Sequence, residues 1–80
     1  MEKIELSGEV IRLGQLLKLA GLVDNGGEAK ARVQNGEVRV NGKVETRRGR
    51  QLQQHDRVEF AGRQVEVCYL DPTLRQGEKP

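Results

Sequence analysis

The sequence predicts an α+β domain: two short helices on one face of a small, mainly antiparallel sheet of about four to five strands. Three observations lead to it. Leu13, Leu16, Leu17 and Ala20 recur at i, i+3, i+4 and i+7, the stripe of a half-buried helix. EVRV-NG-KVET places Asn41-Gly42 between alternating residues, the strongest short-range hairpin signal. RVEF-AG-RQVEV repeats the arrangement from Arg57. The element order is therefore strand, helix, helix and two hairpins.

KIEL at 3–6 reads as a short strand ended by Ser7-Gly8. The first helix spans about 13–21, with Gln15 and Lys18 outside its apolar stripe and Gly21 at its C′ stop. The second spans about 26–35. Asn25 suits its N-cap, Glu28 the acidic position of a capping box, and Gly36 its end. Ala29 and Val33, four apart, face the first helix. Gly26-Gly27 makes its first turn loose.

The first hairpin covers about 37–46. In a strict two-residue loop Val40 faces Lys43 and Val38 faces Glu45, which turns Val44 away from both valines. Either Val44 has contacts of its own, or a bulge at Gly42 shifts the register. The second hairpin covers about 57–68, with Val58 opposite Val65. The expected core is Leu13, Leu16, Leu17, Ala20, Ala29, Val33, Val38, Val40, Leu52, Val58, Phe60, Val65 and Val67. Residues 1–70 form one domain, and DPTLRQGEKP at 71–80 reads as a disordered polar tail.

Composition excludes several functions. Only 35% of the 80 residues are apolar and 32% are charged, so the core is small. No segment approaches the ~20 apolar residues of a membrane span, and the acidic start MEKIELSGEV lacks the pattern of a signal peptide. Cys68 is the sole cysteine and His55 the sole histidine. No disulfide, metal site or nucleophile–base pair can be built from them. No catalytic residue and no cofactor is expected, and the compartment is a reducing cytoplasm. With one Phe, one Tyr and no Trp, the chain lacks the aromatic platform on which single-strand readers stack bases.

The net charge of +2 is unevenly spread. Residues 30–50 carry seven Lys or Arg against two Glu, so positive charge concentrates in about a quarter of the chain. Such concentration suggests an anionic partner. Arg47, Arg48 and Arg50 stand in a run that a hairpin does not need, and arginine's planar fork of donors suits phosphate. Taken alone, the run reads as a solvated loop, as charge runs usually do. The candidate contacts to such a partner are Arg12, Lys18, Lys30, Arg32, Arg39, Lys43, Arg47, Arg48 and Arg50. Lys30 is expected beside the turn that holds Arg12, and the first hairpin is expected to present Arg39 or Lys43 near the 47–50 loop, which would join the positive charges in one continuous face.

The run RLGQLLKLAGLVDNGGEAKARVQNGEVRVNGKVETRRGRQLQQHDRVEF resembles the RNA-binding domain named after ribosomal small-subunit protein four, the alpha-L motif. Arg12-Leu13, Leu16-Leu17, Glu28-Ala29-Lys30, Gly36 through Gly42 and Asp56 through Phe60 carry the likeness, which extends over about residues 11–68. It is similar to the small free-standing bacterial members. The resemblance implies two helices on a small sheet. It further implies a non-enzymatic module that binds structured or double-stranded RNA, ribosomal or transfer RNA being the examples, by phosphate and shape; the oligomeric state is left open, a monomer being expected. Many members begin the second helix with Ser or Thr and then an RNA-contacting Arg; here Asn25-Gly26-Gly27 has no basic residue. A Gly usually precedes the Asp at Asp56; here it is His55. Two other roles fit the same charges: an adaptor docking an acidic protein, and an accessory RNA-binding subunit of an RNA-modifying enzyme.

Overall fold

A computed structural model describes residues 2–70; the expected tail at 71–80 lies outside the described residues. In chain order the elements are β1 (Glu2–Leu6), α1 (Leu13–Leu19), α2 (Gly26–Gln34), β2 (Arg39–Val40), β3 (Lys43–Val44), β4 (Arg57–Phe60) and β5 (Arg63–Tyr69). The five strands form one sheet in the order β1-β5-β4-β2-β3. Every pairing is antiparallel except β1 with β5, which is parallel. The N-terminal strand therefore joins the sheet beside the last one.

The apolar periodicities become the core. Leu13, Leu16 and Leu17 of α1 pack with Ala29 and Val33 of α2 against Val38, Val40, Leu52, Val58, Phe60 and Val67. Val65 is also buried. Ala20 is a correction to the expected core. The helix ends at Leu19, which leaves Ala20 as a half-buried C-cap with its N–H on the Leu16 carbonyl. Val23 takes the place instead. The turn after α1 folds back, with the N–H groups of Leu22 and Val23 donating to the Leu17 carbonyl at 2.9 and 3.3 Å. Gly21, at φ 73°, makes that reversal.

The first hairpin is shorter than expected, two residues a side, but its register is the strict one. Val40 pairs with Lys43 and Arg39 with Val44, and the Glu45 N–H reaches the Val38 carbonyl at 3.0 Å. There is no bulge at Gly42, and Val44 stands 50% exposed on the sheet's outer face. Asn41 occupies the left-handed region at φ 54° and does more than turn the chain. Its amide donates to buried Asp56 at 2.9 Å and accepts from the Arg57 N–H at 2.9 Å, tying one hairpin to the next. In the second hairpin Val58 pairs with Val65, as the Ala61-Gly62 loop requires.

Candidate nucleic-acid interface

The arginine loop is organised by a carboxylate. Glu45 is only 7% exposed. It accepts from the Arg47 N–H and Nε, each at 3.1 Å, and from Arg50 Nη1 at 2.8 Å. These donors, Arg47 first and then Arg50, hold its pKa at about 2. A buried carboxylate needs such partners, and with them satisfied no buried polar side-chain atom among the described residues is left unpaired. Arg50 is thereby largely a structural residue, its side chain 33% exposed. Arg47 keeps 77% of its side chain in solvent and gives Glu45 only Nε, so its remaining donors stay free.

The same loop caps α1. The Arg50 carbonyl accepts from the Leu13 N–H at 2.8 Å, and the Arg48 carbonyl from the Gly14 N–H at 2.9 Å. Just beyond, Leu52 N–H donates to the Ile11 carbonyl at 2.9 Å. Two of the N–H groups that a helix start leaves unpaired are satisfied by a segment more than thirty residues away in sequence. The loop is thus tied to α1 by backbone hydrogen bonds.

Docking brings three cations together. Arg12, Lys18 and Arg48 line one open hollow of about 280 Å³ with Gly14, Gln15, Gly26, Ala29 and Gly49. Among the described residues none of the three has a carboxylate within ion-pair distance. The hollow opens at the start of α2. There Asn25 Oδ1 accepts from the Glu28 N–H at 2.8 Å. The capping box is only half formed, because the Glu28 carboxylate reaches back to the Asp24 N–H, not to Asn25. Lys18 spans to this helix from the previous one. Its Nζ lies 3.9 Å from where a side chain at Gly26 would begin.

The remaining candidates lie outside the hollow. Lys30 is exposed on α2 but does not line the hollow; Lys18 is the lysine that stands with Arg12. Arg32 pairs with Glu28 at 3.7 Å and Glu37 at 3.3 Å. Arg39 pairs across the sheet with Val44 and Glu59 and donates to the Gly42 carbonyl at 3.4 Å. Lys43 pairs with Val40, so it and Arg39 project to opposite faces of the sheet. Arg57, which the charge argument passed over, lies on the outer face beside Glu59 and Gln64.

Neither aromatic is presented for base stacking. Phe60 is in the core, and the Tyr69 hydroxyl donates to the Leu52 carbonyl at 2.6 Å and accepts from the Ile11 N–H at 3.1 Å. His55 is a turn residue at φ 70° whose Nδ1 lies 2.8 Å from Glu66. Cys68 is half-buried opposite Glu5. Among the described residues no three His, Cys, Asp or Glu side chains gather as a metal site. No helix there is long and apolar enough to cross a membrane.

Comparison with known proteins places this geometry in context. The family model of the S4 domain matches residues 4–68. A Bacillus subtilis (strain 168) protein named "Probable ribosome maturation protein RlbA" is 46% identical over 59 residues, covering 74% of this chain and 83% of that protein. YbcJ of Escherichia coli (strain K12) is 40% identical over 57 residues, covering 71% of this chain and 81% of that protein. The solution structure of YbcJ, described as an alfa-L motif involved in RNA-binding, superposes with a TM-score of 0.65. That superposition is 36% identical and covers 85% of this chain and 87% of that one.

Proposed function

This chain belongs to the S4 domain family, and we propose that it is a non-enzymatic module that binds structured or double-stranded RNA through its phosphates and shape. The observation that carries the reading is the hollow in which Arg12, Lys18 and Arg48 converge without a carboxylate partner among the described residues. Three unneutralised cations around one concavity suit an RNA backbone, and arginine forks suit phosphate oxygens. The absence of a free aromatic platform favours folded RNA over extended single strands. The names of the relatives point the same way, and that of RlbA makes ribosomal RNA during ribosome maturation the first substrate to try.

The test is equilibrium binding to a labelled RNA stem-loop over a range of salt. If about three phosphates are contacted, log K against log salt falls with a slope near −2.7. Changing Lys18 and Arg48 together to Ala weakens binding tenfold or more, since each hydrogen bond to a charged group contributes about 1.5–3 kcal/mol. Arg63→Ala is the control, because Arg63 is paired with Glu2 at 2.7 Å and does not line the hollow, so its loss should leave affinity unchanged. A flat salt response, or equal affinity for an acidic protein, would overturn the RNA reading in favour of an adaptor.

A further inference from the structure

We propose that Gly14 is a positioning residue that seats Arg48 for RNA contact; the proposal rests on the RNA-binding reading above. Glycine costs a helix stability, and Gly14 lies inside the first turn of a helix of only seven residues. It is also buried. Its backbone conformation does not call for glycine, since it is not among the positive-φ residues. The space above it does. A methyl group there would collide with Cγ of Arg48, lie 3.0 Å from its Cδ, and come to 3.6 Å from the Arg48 carbonyl oxygen.

Two contacts join these residues, and only one needs glycine. The bond from the Gly14 N–H to the Arg48 carbonyl is made by backbone atoms, and alanine would make it equally well. The contact of the Arg48 stem with bare helix backbone requires that residue 14 have no side chain. The atoms that would be struck are near the root of the arginine, so moving its tip does not relieve the clash. Alanine at 14 must rotate the whole side chain out of the hollow.

Arg48 is thereby oriented differently from its neighbours. Arg47 and Arg50 are held by ion pairs to Glu45. Arg48 is held by its alkyl stem, which leaves the whole guanidinium fork for an anion. Fixing a long side chain before binding removes part of the ordering cost that association otherwise carries.

Four full-length proteins decide the matter: the parent, Arg48→Ala, Gly14→Ala and the double variant. Each is titrated with a labelled RNA stem-loop across a salt series and followed through thermal unfolding. Arg48→Ala is expected to weaken binding about tenfold and to reduce the salt slope by about 0.9, one phosphate contact. Gly14→Ala is expected to do the same with an unfolding midpoint no lower than the parent's. The double variant should bind no more weakly than Arg48→Ala alone. If Arg48→Ala binds as the parent does, the assigned RNA face is wrong and the proposal falls with it. If Arg48→Ala is weak but Gly14→Ala is not, the face stands and the positioning role is overturned. Additive losses in the double variant also overturn it, because Gly14 would then act through something other than Arg48. So does a lowered midpoint for Gly14→Ala that removing the Arg48 side chain does not restore.

Discussion

Glu45 shows how much one buried residue decides. Read along the chain it is one of two acidic residues in a basic segment. In the fold it gathers Arg47 and Arg50 and so shapes the loop that caps α1. Its pKa of about 2 lies below the ordinary 4.5, so its ionised form stabilises the fold. That contribution is complete above about pH 4.5 and is lost as the pH falls through 2. Glu2, lowered chiefly by its hydrogen bond from Arg63, adds loss in the same direction. The expected outcome is a falling unfolding midpoint between pH 4.5 and 2. Glu45→Gln should be less stable than the parent at neutral pH and show a shallower decline over that range. Parallel pH curves for the two proteins would mean that the carboxylate contributes no proton-linked stability.

Among the elements, the second hairpin carries a correctable strain. Its turn residues Ala61 and Gly62 have φ 54° and 80°, the pattern of a turn that needs positive φ at both central positions. The first hairpin meets the same demand with Asn41-Gly42. Alanine tolerates the left-handed region poorly, so Ala61→Asn should stabilise the domain by about 0.5–1 kcal/mol, measured by chemical denaturation. Loss of stability would show that the alanine methyl has a packing role. The elements themselves were legible because each rests on local chemistry. The leucine spacing marks α1, Asn25 and Gly36 bracket α2, and Ala61-Gly62 fixes the register of the second hairpin, whereas Val44 left that of the first open between the strict register and a bulge. The site was legible only in part. Charge counting over 30–50 found Arg48, and the family's opening Arg-Leu pointed to Arg12, but neither could be told from Arg32 or Arg50, whose partners Glu37 and Glu45 differ by nothing in sequence from solvated glutamates. Docking of the 47–50 loop on α1 is a contact between segments distant along the chain, with no periodicity or spacing to announce it. Gly14 reads as an ordinary helix defect until Arg48 is seen lying on it.

At the scale of the whole molecule, a modest net charge conceals two unlike faces. The outer face of the sheet mixes signs: Lys3 and Arg57 flank Glu66, and Arg39 and Gln64 flank Glu59. Opposite charges at one Debye length or less, about 8–10 Å, largely cancel in the field a polyanion meets. The hollow has cations alone among its charged lining residues, so the attraction is directional although the chain carries only +2. An RNA duplex should therefore approach from the side where α1, the start of α2 and the 47–50 loop meet, and leave the outer sheet in solvent. Amide chemical shifts recorded during titration with an RNA stem-loop test the orientation. Residues 12–18, 26–29 and 47–50 should shift together, and residues 57, 59, 64 and 66 should hold still. Broad shifts on both faces would mean that charge acts without orientation. Shifts confined to the sheet would place the interface around Arg39 and Arg57, at the hollow lined by Asn41, Gly42 and Gln64. Raising salt should shrink the shifts at every affected amide together, because one electrostatic contact surface gives one salt dependence.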